Sequence, residues 1–425
     1  MASRFFRSCT AVTRKLAPGI VLLAASIPAF PQLLLKPSAP GEQVTLLPSD
    51  VAILEEDQPR SDIPCAVTTR KPELGFDLRF HSGFDVNVPM RELAGSGEVL
   101  TVVFRVYPVD DREHAANFVQ HFHVPVIEED AKGDALLQGG IDLGEGNYHV
   151  DWLMRDRAER ICSTSWDVGA ELTAKDKPIP LFIGAKQIAE TPPQPFLNDA
   201  NEVLSHTSGD GTSGGNLAIK LLVNFAPQNS ASAALQRSDT EALVSILKTI
   251  QRDPRVSRIS LVAFNMEESR IVYRQDTTGP IDFPALGKAL EGMKLGTVNV
   301  QQLSQKHSET DFLEDLITHE VGNAGHPDAV VFAGPKAMLN ADVPESELRR
   351  IGDIECPVFY MNYNLNPQAV PWKDSISRAI RTFKGTEYTI SRPRDLWFST
   401  SEMVNRIVRH KRDRALAVAA GGGSR

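Results

Sequence analysis

Basic residues are in deficit in this 425-residue chain: 45 Lys and Arg stand against 54 Asp and Glu, a formal net charge of -9 at pH 7. A surface of that sign repels phosphate backbones, which argues against general nucleic-acid binding. The basic cluster near the C-terminus (Arg406, Arg409, Lys411, Arg412, Arg414) is short, is interrupted by Asp413 and runs into Gly421-Gly-Gly, the composition of a frayed tail. Cysteine is scarce, four in all, and none stands directly after the apolar centre of the N-terminus, so no lipid-anchored form is indicated. Beyond that centre no apolar run is long enough to cross a bilayer.

A complete catalytic set is also lacking, and the near misses fail on context. Gly211-Thr-Ser213-Gly-Gly215 matches the Gly-x-Ser-x-Gly string of serine hydrolases. A nucleophile elbow must follow a strand and open a helix, whereas this string sits in a polar linker ahead of a strand. His319-Glu320 begins like a zinc-protease helix, but Asn323 stands where the second histidine is needed, and Gly322 and Gly325 end the helix. His121-Phe-His123 puts two imidazoles on one side of a strand. They would hold a transition metal only if His81, His114 or His149 came close. No cofactor is expected.

What is present speaks to compartment and architecture. Arg4, Arg7, Arg14 and Lys15 precede the apolar Ile20-Val-Leu-Leu-Ala-Ala, and small residues follow, with Ser26 or Ala29 as cleavage positions. Residues 1–31 read as an export signal, placing the protein in the secreted or periplasmic space without a stable membrane span once the signal is removed. In an oxidising compartment Cys65 and Cys162, at the two ends of the first folded segment, are disulfide candidates; three separate thiols are the alternative.

Residues 32–176 read as β throughout from about Gln43. Leu74 to His81, Val99 to Tyr107, Phe118 to Val126 and Tyr148 to Met154 carry strand patterns, separated by turn signals such as His81-Ser-Gly and Gly144-Glu-Gly-Asn. Short strands at this spacing predict an antiparallel sandwich. Gly146-Asn-Tyr-His-Val-Asp-Trp resembles a late strand of an immunoglobulin-like or fibronectin-like module, although the antibody Cys and Trp spacing is absent. Residues 177–216 are a Pro/Gly/Ser-rich linker.

Residues 217–410 alternate strand and helix. Leu217-Ala-Ile-Lys-Leu-Leu-Val-Asn224 is apolar but for one lysine, as suits a parallel strand covered on both faces. Ser238-Asp-Thr-Glu241 has capping-box spacing for the helix that follows, and Ser308-Glu-Thr-Asp311 caps a later one. The pattern predicts an α/β, Rossmann-like domain with a mainly parallel central sheet, and residues 411–425 a disordered tail. The order of elements from Leu217 to Arg409 resembles that of a von Willebrand factor type A domain. In that family the first strand ends in Asp-x-Ser-x-Ser, a later loop supplies a threonine and the fourth strand ends in an aspartate; together they hold a magnesium ion that an acidic partner completes. Here the first loop reads Asn224-Phe-Ala-Pro-Gln228, and Gly334-Pro335 closes the strand where the family has its aspartate. Only Thr310 could stand in for the loop threonine. The resemblance implies a degenerate member in which Asn224, Gln228, Asn229, Ser230 and Thr310 bind another protein or an envelope component without metal. The expected function is therefore non-enzymatic binding by an exported protein. An exported metal- or serine-dependent hydrolase and a purely structural scaffold component are the alternatives.

Overall fold

The computed structural model describes residues 33–35, 46–56, 58–95, 99–192, 195–196, 216–228, 232, 235–293, 308–322, 325–352, 354–365 and 373–421. The leader, the Gly211–Gly215 string, Asn229, Ser230 and Val298–Leu303 lie outside them.

The first half of the chain forms two antiparallel sheets. One has the order β1-β5-β4-β7-β8, from β1 (Leu33–Leu35), β4 (Val99–Pro108), β5 (Ala116–His123), β7 (Gly146–Arg155) and β8 (Ile161–Ala170). The other runs β2-β3-β6-β9, from β2 (Ala66–Leu74), β3 (Phe80–Pro89), β6 (Asp134–Leu143) and β9 (Ile188–Ala189). Alternate residues of facing strands meet in one core, with Phe84, Val86, Phe104, Phe118, Trp152 and Met154 among its members. Phe84 lies edge-on to Phe104 and Trp152 at centroid distances of 5.3 and 5.5 Å. Cys65 and Cys162 are joined by a disulfide beside this core, with Cα atoms 6.4 Å apart. The Tyr148 hydroxyl donates to the Gly144 carbonyl, four residues upstream, at 2.9 Å and to that of Gln187 at 3.2 Å, which pins the turn before β7.

Two expectations for this half need correction. Leu74 to His81 is not a strand: β2 ends at Leu74, residues 75–79 turn, and β3 begins at Phe80, so His81-Ser-Gly lies within a strand. The partial alternation there comes from the ends of two strands across a hairpin, with Leu78 in the left-handed region (φ 64°). The segment is also not β throughout. Helix α1 (Pro48–Glu55) starts on a proline suited to a first turn and lays Ile53 and Leu54 over Val103, Val119 and Leu153 on the outer face of the larger sheet.

The second half is a six-stranded mixed sheet of order β12-β11-β10-β13-β14-β15. Its strands are β10 (Leu217–Asn224), β11 (Val256–Asn265), β12 (Arg270–Gly279), β13 (Ala329–Gly334), β14 (Val358–Tyr363) and β15 (Thr386–Ile390). All pairings are parallel except β11 with β12. Helices cover both faces. On one, α2 (Arg237–Arg252), α3 (Phe283–Glu291) and α7 (Pro393–Gly421) pack over Ile219, Leu221 and Val223. On the other, α4 (Ser308–Ile317), α5 (Glu345–Arg350) and α6 (Ser375–Thr382) pack over Leu222, Val330 and Tyr360. The lone lysine of β10 is neutralised within the structure. Lys220 Nζ lies 2.6 Å from Glu320 of the π-helical turn Thr318–Gly322, and Glu320 also takes Arg274 of β12 at 2.5 Å.

The predicted tail from 411 is also corrected: α7 continues to Gly421. Ala415, Leu416 and Ala417 are strong helix formers. Lys411 pairs with Asp328 at 2.8 Å, and Arg414 with Glu355 at 2.7 Å, which holds the added turns against the amino ends of β13 and β14. Among the described residues no helix is long and apolar enough to cross a membrane.

Replacing Tyr148 by Phe removes one buried hydroxyl and takes its donor from the Gly144 carbonyl, while the Gln187 carbonyl keeps the Gly144 N–H at 2.9 Å. Urea unfolding is expected to show a loss of about 1–2 kcal/mol with the denaturant slope unchanged.

Candidate functional site

The carboxyl ends of the parallel strands are where open α/β sheets place their ligands, at the point where strand order reverses. Here that point lies between β10 and β13. Asn224 ends β10 and is 1% exposed. Its Oδ1 accepts the Met266 backbone N–H at 3.1 Å, while Nδ2 has no partner among the described residues. Gly334 ends β13 at a φ of 149°, and a Cβ there would come within 2.7 Å of the Asn224 Cβ. The two strand ends thus close on each other, and only glycine permits it.

The loop after β10 fills what remains. Phe225, Ala226 and Gln228 are all buried. The Phe225 N–H donates to the Phe264 carbonyl at 2.7 Å, and its own carbonyl accepts Asn265 Nδ2 at 2.8 Å. Gln228 Nε2 donates to Asn364 Oδ1 at 3.3 Å, and Gln228 Oε1 accepts the Leu365 N–H at 3.1 Å. Thr310, in the first turn of α4, donates its hydroxyl to the Ala341 carbonyl at 2.7 Å. Asn224, Gln228 and Thr310 therefore tie three different loops, after β11, β14 and β13, into the edge. Their polar atoms face inward. Acids stand nearby: Glu267 follows β11 and Glu309 opens α4. Although Glu267 reaches solvent, partial burial and the charges of Glu309 and Glu268 push it from 4.5 up to about 7. Met338, in the loop after β13, is the large apolar side chain most exposed at this edge, at 57%.

The histidine candidates separate. His121 and His123 point outward from β5, while Phe118 and Phe122 point into the core. None of the three possible partners joins them. His114 binds Asp111 at 2.7 Å, His149 binds Asp167 and Asp151, and His81 lies in the other sheet. His319 is exposed, and the neighbouring Glu320 is spent on Lys220 and Arg274. A surface groove of about 380 Å³ runs past Asp111, His114, Ala116 and Lys186, but its charges are already matched, Asp111 with His114 and Lys186 with Asp110.

One cluster joins residues that no single stretch of the sequence brings together. His81 Nδ1 lies 2.8 Å from Asp142 Oδ1 and Nε2 2.9 Å from Asp77 Oδ1. Asp142, fully buried, also accepts Thr191 Oγ1 at 2.8 Å and Arg79 at 3.3 Å. The side chains of Asp77, His81 and Asp142 lie close enough together to hold a metal ion. The proton competes strongly for the place. Burial alone would lower the His81 pKa, but hydrogen bonds to Asp142 and Asp77, and their charges, lift it from 6.5 to about 10. An ion would have to strip that proton and then meet the Arg79 guanidinium. Two cations already balance two carboxylates, so the cluster reads as a charge-closed brace across β3, β6 and the 75–79 turn. Asp77-x-Arg79-x-His81 was the local signal available, but Asp142 lies 61 residues on.

No family model matches the sequence, and no curated protein does. Among solved structures, the PilB minor pilin from Streptococcus sanguinis aligns over 72% of this chain and 87% of its own at 9% identity, with a TM-score of 0.27. A glycosyl hydrolase family 2 member from Bacteroides cellulosilyticus DSM 14838 aligns over 78% and 39% at 8% identity, TM-score 0.18. A beta-glucuronidase of Bacteroides uniformis aligns over 75% and 38% at 10%, TM-score 0.17. Likenesses this faint say nothing about what the chain does.

Because His81 is protonated more readily folded (about 10) than unfolded (6.5), its contribution is whole below pH 6.5 and is lost as pH rises toward 10. The urea midpoint should fall across that alkaline interval, and His81→Gln should flatten the fall.

Proposed function

We propose that the chain is an exported, non-enzymatic binding protein built from an immunoglobulin-like sandwich and a cation-independent module similar to a von Willebrand factor type A domain. The strand order supports the module. Renumbered from β10, it is 3-2-1-4-5-6 with only the third strand antiparallel, a doubly wound order. The Tyr148 corner supports the sandwich, since immunoglobulin-like domains pin the same turn with a tyrosine hydroxyl. The Cys65–Cys162 disulfide fits an oxidising compartment.

The observation that carries the functional reading is the inward use of Asn224. Where the resembling family presents a carboxylate to an ion, this strand ends in an amide whose oxygen holds the Met266 N–H. A neutral amide carries no charge that a cation must balance, and its oxygen is already satisfied by the Met266 N–H. Recognition then falls to the exposed rim of that edge, around Met338, and the partner is another protein or an envelope component.

The test is a photo-crosslinking residue at Met338 in producing cells, with capture read by mass spectrometry. A defined partner is expected, and Met338→Asp should reduce its binding to the purified protein at least about tenfold, the scale of losing one apolar anchor. Leu136→Asp on the sandwich should leave it unchanged. Equal loss from both substitutions, or none from Met338→Asp, would show that the edge is not the contact.

A further inference from the structure

The brace around His81 ends on a contact between the two halves of the chain. Arg79, held by Asp142, lies with its guanidinium carbon 4.5 Å from the centroid of the Phe182 ring. Arg252, in the last turn of α2, approaches the same ring to 4.2 Å. The Phe182 N–H donates to the Leu78 carbonyl at 2.9 Å, so the ring is attached to the 75–79 turn by backbone as well. From the same turn, Phe76 packs against the core under α2 and α3. Further along the linker, Phe196 packs there too, against Gly287 of α3, where a Cβ would come within 2.9 Å of the ring.

We propose that the 75–79 turn and Phe182 form a clasp that fixes the sandwich against the α/β domain, so that the two halves move as one body despite the long linker. Three contacts from separate places in the chain support it: Phe76 from a hairpin, Phe182 from the segment after β8 and Phe196 from the linker. An aromatic ring shared by two guanidiniums is directional as well as attractive, and aromatic burial anchors the rest. Asp77 and Asp142 hold Arg79 in place, which gives the charge-closed brace a purpose at the junction. Location matters as well. Helix α2 ends where β11 begins, at the amino ends of the strands, so the clasp grips the end of the sheet opposite Asn224 and leaves the carboxyl edge clear.

The experiment is a distance measurement by pulsed electron spin resonance on the full chain, with spin labels on Leu136→Cys and Met338→Cys and with Cys9→Ala and Cys356→Ala to remove the two cysteines outside the disulfide. One narrow distance is expected. Arg252→Gln, which leaves the sandwich untouched, should add a broad component to the narrow peak while circular dichroism is unchanged. Phe182→Ala should enlarge that component if it folds, and Arg252→Gln decides if it does not. A broad distribution before any change at the clasp, or one left unaltered by Arg252→Gln, overturns the proposal. Neither result depends on whether a partner binds near Met338.

Discussion

Burial of β10 on both faces is the constraint from which the second half of the molecule follows. A strand whose alternate residues are all apolar has no side to give to water, so helices must cover both. Ile219, Leu221 and Val223 face α2, α3 and α7, and Leu222 faces α4 to α6. Helices on two faces require crossovers in both directions from the centre, and the order reversal between β10 and β13 results. The one polar residue within the strand shows how strict the constraint is. Lys220 could remain only because Glu320 is carried to it by an irregular helical turn.

At the reversal point the ends of β10 and β13 close on each other. Glycine at 334 lets the two strand ends approach closely, and Phe225, Ala226 and Gln228 are buried beside them. Polar atoms there serve cohesion between loops. Glu267, close to Glu309 at the same edge, is pushed up to about 7 and so changes charge near neutral pH.

Much of the α/β half was legible in the sequence because its signals are local: an apolar run, a capping pattern, a helical period. Boundaries drifted where capping differed from the pattern. The Ser238–Glu241 box lies inside α2, which begins at Arg237, and no side chain caps that end. The sandwich was legible as strands but not as pairings. Leu74 to His81 looked continuous because strand period survives across a tight hairpin. For the candidate edge, residue types were readable but their direction was not: Asn224 and Gln228 look like surface amides until the loops that bury them are in place. The His81 brace was out of reach, since what makes it is register between β3 and β6, with His81 opposite Asp142.

The bond between Cys65 and Cys162 has a temporal consequence. Cys65 immediately precedes β2, and Cys162 lies in β8, 97 residues later. As the chain emerges from its N-terminus, the first strands of the sandwich must wait for almost the whole module before the covalent seam can close. Until then the inner faces of β3 and β4 are uncovered, and the hairpins form ahead of the long-range closure. Within the module itself an oxidant acting early would meet a single thiol with no mate, so sealing of the module reports that its last large strand has arrived.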